Sequence, residues 1–191
     1  MYNAIHMDAS LELKTNNRTE VFESVRKYLN ELRLTIINED MRRPWGGFFV
    51  LDENQAKEFA THFFPTIAVD SLRISGKLSP KILMVEPGKR LSWQYHHRRA
   101  EIWRTIGGTV AVATSMTDEE TERVQIGVGE TIRLAQGQRH RLIGLDGWGV
   151  VAEIWQHTDA SKPSDDCFSR LRRVSDSILA SNSKCRVDFT K

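Results

Sequence analysis

The chain has 191 residues, and its 27 Lys and Arg against 25 Asp and Glu leave a formal charge of +2. That balance argues against a nucleic-acid binder, which concentrates basic charge on one surface, while 40% apolar residues are enough for a core without staples. No apolar run approaches the ~20 residues of a membrane helix. The opening MYNAIHMDASLELK lacks the pattern of a secretory signal. Cys167 and Cys185 form neither a metal spacing nor a disulfide framework, so a cytoplasmic protein with no membrane partner is expected.

Residues 1–18 read as a polar lead-in. From Thr19, apolar residues recur at helical spacing (Val21, Phe22, Val25, Tyr28, Leu29, Leu32), which predicts an amphipathic helix of about four turns that must pack against something. A second helical segment, Asn54 to Phe64, presents Ala56, Phe59, Ala60 and Phe63 and stops at Pro65. After Ser79 the pattern turns to short strands: 81–85, 91–95, 102–106, 110–114, 121–128, 131–134, 141–143 and 150–155. Gly, Pro and Asp punctuate them. Many short strands at close spacing predict an all-β sandwich or small barrel. Beyond Pro163 a rough apolar stripe (Phe168, Leu171, Val174, Ile178, Leu179) suggests a helix again, with Arg172 and Arg173 on its solvated face. The expected organisation is a polar lead and helix over 1–40, a barrel over 41–166 and a helical tail over 167–191.

Two segments hold the chemistry. In the first, Gln94 and His96 share one strand face, Trp93, Tyr95 and His97 take the other, and a turn over 97–100 lets Glu101 open the next strand. In the second, a turn around Gln136-Gly137 brings His140 back along a neighbouring strand. Gln94, His96, Glu101 and His140 offer only oxygen and nitrogen donors, a set suited to one divalent ion: zinc first, with Mn, Fe, Co or Ni as alternatives. A hydrogen-bonded core network without metal is the plainer alternative. Lys81 alternates with Leu83 and Val85. If that face is inward, its ammonium needs an anion such as a glutamate or a phosphate; on an edge strand it would point to water. His97 is expected at the rim, and His6, His62 and His157 at the surface or partly buried.

The spacings Gly88, Gln94, His96, Glu101, Gly108 and Gly129, Gly137, His140 resemble the two metal motifs of the cupin superfamily, with Ala135 and Gly144 replacing the Pro and Asn of the second. The run Arg43-Pro44-Trp45-Gly46, Lys81, and Pro87 through Trp103 is narrower. It is similar to type II phosphomannose isomerase, as are Gly108-Thr109, Glu153-Ile154-x-Gln156 and Asp165-Asp166. This resemblance implies a cupin-type double-stranded β-barrel, or jelly roll, with added N- and C-terminal helices. It also implies Gln94 as the usual first ligand. Two departures stand out: Ile102 where the family has the His of Glu-His-Trp, and Arg98 where it has a third His. With no nucleotide-binding glycine loop ahead of the β region, the guanylyltransferase half often fused to this family is expected to be absent.

The resemblance implies a metal-dependent aldose–ketose isomerase acting on a phosphorylated sugar. The cation would acidify the proton moved between C1 and C2. Lys81, Glu153 or a metal-bound hydroxide stand as candidates for the base, and Ile102 removes a histidine that would have helped. Lys81, Arg99 and Arg43 are the candidate phosphate ligands, so the expected catalytic set is Lys81, Arg99 and Glu153. Arg99 would clamp phosphate or brace Glu101, and Arg43 with Trp45 would line the mouth or form a structural stack. A cupin Fe(II) oxygenase and a non-catalytic sugar-binding or regulatory cupin are the alternatives. A homodimer is left open.

Overall fold

A computed structural model of the chain describes residues 11–68, 70, 72 and 77–158, and the backbone of 169–170. Helix α1 spans Arg18–Glu31 and opens on Asn17, whose side chain accepts from the Glu20 N–H. It closes with Arg33 in the left-handed region (φ 58°), while the Arg33 and Leu34 amides donate to the carbonyls of Asn30 and Leu29. That closure satisfies two terminal carbonyls and folds Leu34 back onto Leu29 in the core. A 3-10 turn at Glu53–Gln55 leads into helix α2, Ala56–Phe63. Both helices match the sequence expectation.

The strands are β1 Ile36–Arg43, β2 Gly46–Leu51, β3 Lys81–Val85, β4 Gln94–Tyr95, β5 Arg99–Gly107, β6 Val110–Ser115, β7 Arg123–Ile126, β8 Thr131–Leu134, β9 Arg139–Gly144, β10 Gly149–His157 and β11 Ser169–Arg170. They form a six-stranded sheet, β1-β2-β3-β10-β5-β8, and a five-stranded sheet, β11-β4-β9-β6-β7. Every pairing is antiparallel.

One face of the six-stranded sheet meets the other sheet. Leu83, Val85, Val151, Trp103 and Leu134 pack there against Val110, Val112, Ile126 and Leu142. Its opposite face carries Phe49, Leu51, Ile82, Met84, Ile102, Ala152 and Ile154. These are covered by Val21, Phe22, Val25 and Leu29 of α1 and Phe59 and Phe63 of α2. Phe22 seats edge-on against Phe49 and Trp148, at centroid distances of 5.8 and 5.9 Å. Burial on both faces explains why β3 reads as the unbroken apolar run Ile82-Leu83-Met84-Val85. The amphipathic helices are thus the outer layer of the barrel, anchored by Arg18, which donates to Glu86 at 2.8 Å and to the carbonyls of Met41, Arg43 and Gly46.

Several boundaries differ from expectation. The sheet begins at Ile36, inside the stretch read as lead-in and helix. Strands β1 and β2 carry no sequence signal because β1 is a mostly exposed edge strand, and Pro44-Trp45-Gly46-Gly47 reads as punctuation. Gly46 is required there: at φ 138° a Cβ would sit 1.9 Å from the Met84 carbonyl oxygen. Strand β5 starts at Arg99, so the turn before it is tighter than expected. Ser169 and Arg170, within the stretch read as helical, form a strand paired with Tyr95 and Gln94. The rest of that tail, including Arg172 and Arg173, lies outside the described residues, as does His6. His157, expected at the surface or partly buried, is fully buried at 1% exposed, its Nε2 3.4 Å from Ser79 Oγ. Among the described residues no helix is long and apolar enough to cross a membrane.

Candidate metal centre

Strand register builds the site in two rows on the inner face of the six-stranded sheet. Lys81 pairs with Glu153 and Glu153 with Trp103, which makes one row; Trp155 pairs with Glu101, and Glu101 with Leu134, which makes the next. Arg99 lies two residues before Glu101, on the same face. From the facing sheet, β4 and β9 pair Gln94 with His140. The two histidine segments are strapped together: the Gly137 amide donates to the His96 carbonyl (2.9 Å), and Gly137 takes φ 77° in the turn before His140.

His96, Glu101 and His140 converge. All three are buried, and one ligand atom from each lies within 4.8 Å of the others. Glu101 Oε1 is 3.0 Å from His96 Nε2, and Glu101 Oε2 is 3.4 Å from His140 Nε2. His140 Nδ1 donates to the Gln138 carbonyl at 2.9 Å. A carbonyl only accepts, so in the neutral ring the lone pair is on Nε2. His140 Nε2 and Glu101 Oε2 are both buried, face each other and make no hydrogen bond. Two opposed lone pairs in a dry site are costly, and a cation between them removes the cost. The donor set therefore fits a divalent metal.

Charge points the same way. Burial works against an ionised Glu101, but His96 and Arg99 beside it hold its carboxyl well below the usual carboxylate range. Burial pushes His96 down, against the pull of Glu101. A carboxylate with neutral imidazole is the protonation state a metal ligand set requires.

Gln94, half-buried, stands across from His140, and its amide oxygen accepts from Ser92 Oγ at 3.2 Å. Lys81 faces inward, its Nζ 4.0 Å from Glu153 Oε2 and 3.4 Å from the centre of the Trp155 ring. Glu153 accepts from Trp103 Nε1 at 3.0 Å. Burial first, then the neighbouring Glu101 charge, push its carboxyl up to about 7, with Lys81 and Arg99 pulling back. Arg99 donates through Nε to Glu101 Oε1 at 2.8 Å, and its guanidinium lies 3.6 Å from the Trp155 ring centre. His97 is exposed, as expected of a rim residue.

Arg43 is not brought to this group. It forms an ion pair with Asp40 (2.8 Å), lies over Phe48 and pairs with Gly46, which pairs with Val85 at the other end of β3 from Lys81. At 3.3 Å per residue that separation is about 13 Å. Ile102 corrects a second expectation. It alternates away from Glu101 and Trp103 and is buried among the residues beneath the helices, so this departure removes no group from the site. Trp155, not singled out from sequence, is central to the site; its signal was the two-residue spacing from Glu153.

The model of the family described as mannose-6-phosphate isomerase C-terminal matches residues 52–149, just over half of the chain. The chain belongs to this family. With its two facing antiparallel sheets, the fold is a cupin-type double-stranded barrel. The Pseudomonas aeruginosa alginate biosynthesis protein AlgA is 38% identical over 138 residues, covering 71% of this chain and 22% of that protein. A mannose-1-phosphate guanylyltransferase from Salmonella montevideo is 27% identical over 127 residues, covering 63% and 22%. The chain thus spans about a fifth of the length of these relatives. A Bacillus subtilis oxalate decarboxylase mutant superposes with a TM-score of 0.49 at 16% identity, covering 70% of this chain and 30% of that one.

Proposed function

We propose that the protein is a metal-dependent aldose–ketose isomerase acting on a phosphorylated sugar, of the mannose-6-phosphate isomerase kind. The observation that carries this reading is the pair of unpartnered buried atoms, Glu101 Oε2 and His140 Nε2, held beside the Lys81–Glu153 pair in a chain of this family. His96, Glu101 and His140 would hold the ion, with Gln94 as a fourth donor from the strand beside His140. When bound, a divalent cation supplies Lewis acidity toward a sugar carbonyl and its neighbouring hydroxyl.

The chain's own residues supply the rest. Glu153, with a carboxyl poised at about 7, suits taking and returning a carbon-bound proton near neutrality. Trp103 fixes its Oε1, leaving Oε2 toward Lys81. Lys81 and Arg99, both on Trp155, are the cations that would hold a phosphate group.

The test is turnover followed by proton NMR in deuterated buffer over a panel of pentose, hexose and heptose phosphates, with and without added Zn or Mn. The reading expects interconversion of one aldose–ketose pair with deuterium incorporated at the exchanging carbon. Binding of these sugars with no interconversion of any would reject it in favour of the sugar-binding module, and metal-linked oxygen uptake would select the oxygenase.

A further inference from the structure

We propose that Arg99 is a built-in counter-cation of the metal centre, competing with the divalent ion for the same donor atoms. The inference rests on the metal part of the function proposed above.

Beyond its stack on Trp155, Arg99 reaches two donor atoms of the cluster. Its Nε donates to Glu101 Oε1 at 2.8 Å, and its Nη2 lies 3.2 Å from His96 Nε2. A guanidinium has donors only and stays charged. Facing it, His96 Nε2 must be the lone-pair nitrogen of the ring. A neutral imidazole nitrogen has one such lone pair, which can take a hydrogen bond or a metal but not both. The same Nε2 is 3.0 Å from Glu101 Oε1, so the Arg99 guanidinium stands against both atoms of that contact. It covers the Glu101 Oε1 and His96 Nε2 side of the cluster and leaves Glu101 Oε2 and His140 Nε2 without partners.

Loading an ion onto His96 Nε2 displaces Arg99 from that nitrogen, while Glu101 keeps Oε2 for the ion. Trp155 provides the surface on which the displaced guanidinium stays charged and partly covered, since the stack involves the face of the arginine and not its N–H groups.

Competition and bracing predict opposite signs. If Arg99 only orients Glu101, removing it weakens metal binding; if it competes, removing it strengthens binding. The experiment is calorimetric titration of Zn(II) and Mn(II) into chelator-treated wild type, Arg99→Met and Arg99→Lys, with melting temperatures taken with and without metal. Competition expects Arg99→Met to bind at least about tenfold more tightly than wild type, about 1.4 kcal/mol. It also expects that variant to melt lower than wild type only in the metal-free state. Arg99→Lys should fall between them. Affinity in Arg99→Met equal to or below wild type overturns the proposal while leaving the metal centre intact. No binding by any of the three overturns both. If Arg99→Met does not fold without metal, a crystal structure of the zinc-loaded wild type decides: Arg99 detached from His96 Nε2 supports competition, and Arg99 still bonded to both atoms refutes it.

Discussion

Replacing Lys81 by Met keeps the length of the side chain and its contact with Trp155 but removes the charge. The ammonium is 4.0 Å from Glu153 Oε2 and lies on the Trp155 ring, in a position 18% exposed. Two consequences follow. The first is electrostatic: Lys81 is the leading influence that holds the Glu153 carboxyl down to about 7 against burial and Glu101. In Lys81→Met that carboxyl therefore titrates higher, and a carbon-13 carboxyl NMR titration reads the shift. The protein tolerates the change because Glu153 takes up a proton instead of remaining a buried unpaired charge. The second is recognition: one charge-assisted hydrogen bond to an anion contributes about 1.5–3 kcal/mol, so affinity for a sugar phosphate should fall by at least about tenfold. Calorimetry with mannose 6-phosphate against mannose separates the phosphate contribution from the sugar contribution, and metal content should stay at the wild-type level. Unchanged affinity for the phosphorylated sugar would remove Lys81 from the phosphate site and leave Arg99 as the candidate.

Three further outcomes are expected. His140→Ala should lose metal more completely than Gln94→Ala, because imidazole is a stronger donor than an amide oxygen and Nδ1 of His140 is already anchored on Gln138; equal loss by elemental analysis contradicts that ranking. The Glu153 carboxyl sits at about 7 in the folded chain against 4.5 unfolded, so the folded state binds the extra proton. The Glu153 contribution to metal-free stability should therefore fall as pH rises from about 4.5 to about 7, and the difference between wild-type and Glu153→Gln urea midpoints should shrink across that window. A Glu153→Gln profile running parallel to the wild type's through this window would mean that Glu153 is not protonated in the fold. Phe22→Ala should cost about 3–5 kcal/mol by denaturant unfolding, since Phe22 is 2% exposed between Phe49 and Trp148, yet leave metal affinity unchanged from the opposite face of the sheet. A loss below about 1 kcal/mol would mean α1 contributes little to the barrel.

Periodicity located both helices and most of the strands, because buried faces impose strict spacing on Val21 through Leu29 and on Lys81 through Val85. Strands β1 and β2 escaped because an exposed edge needs no apolar alternation, and the glycines that allow β2 to approach β3 read as a break. The donor triad His96, Glu101 and His140 was legible from motif spacing, and alternation placed Lys81 inward. What spacing does not carry is the lateral register between strands. That register puts Trp155 beside Glu101 and Arg43 at the far end of the sheet. Ile102 stands where the family has a histidine, yet its neighbours Glu101 and Trp103 both point inward, so alternation alone sends Ile102 beneath the helices.

The most direct test of the central claim, that His96, Glu101 and His140 form a metal centre, is anomalous diffraction at the zinc and manganese edges from crystals of wild-type protein purified from metal-supplemented medium, paired with elemental analysis. The account predicts about one divalent ion per chain and a single anomalous peak bounded by His96, the Glu101 carboxylate and His140 Nε2. Protein carrying no stoichiometric metal, with no peak at that position and the three side chains in hydrogen-bonded contact with one another, would contradict it.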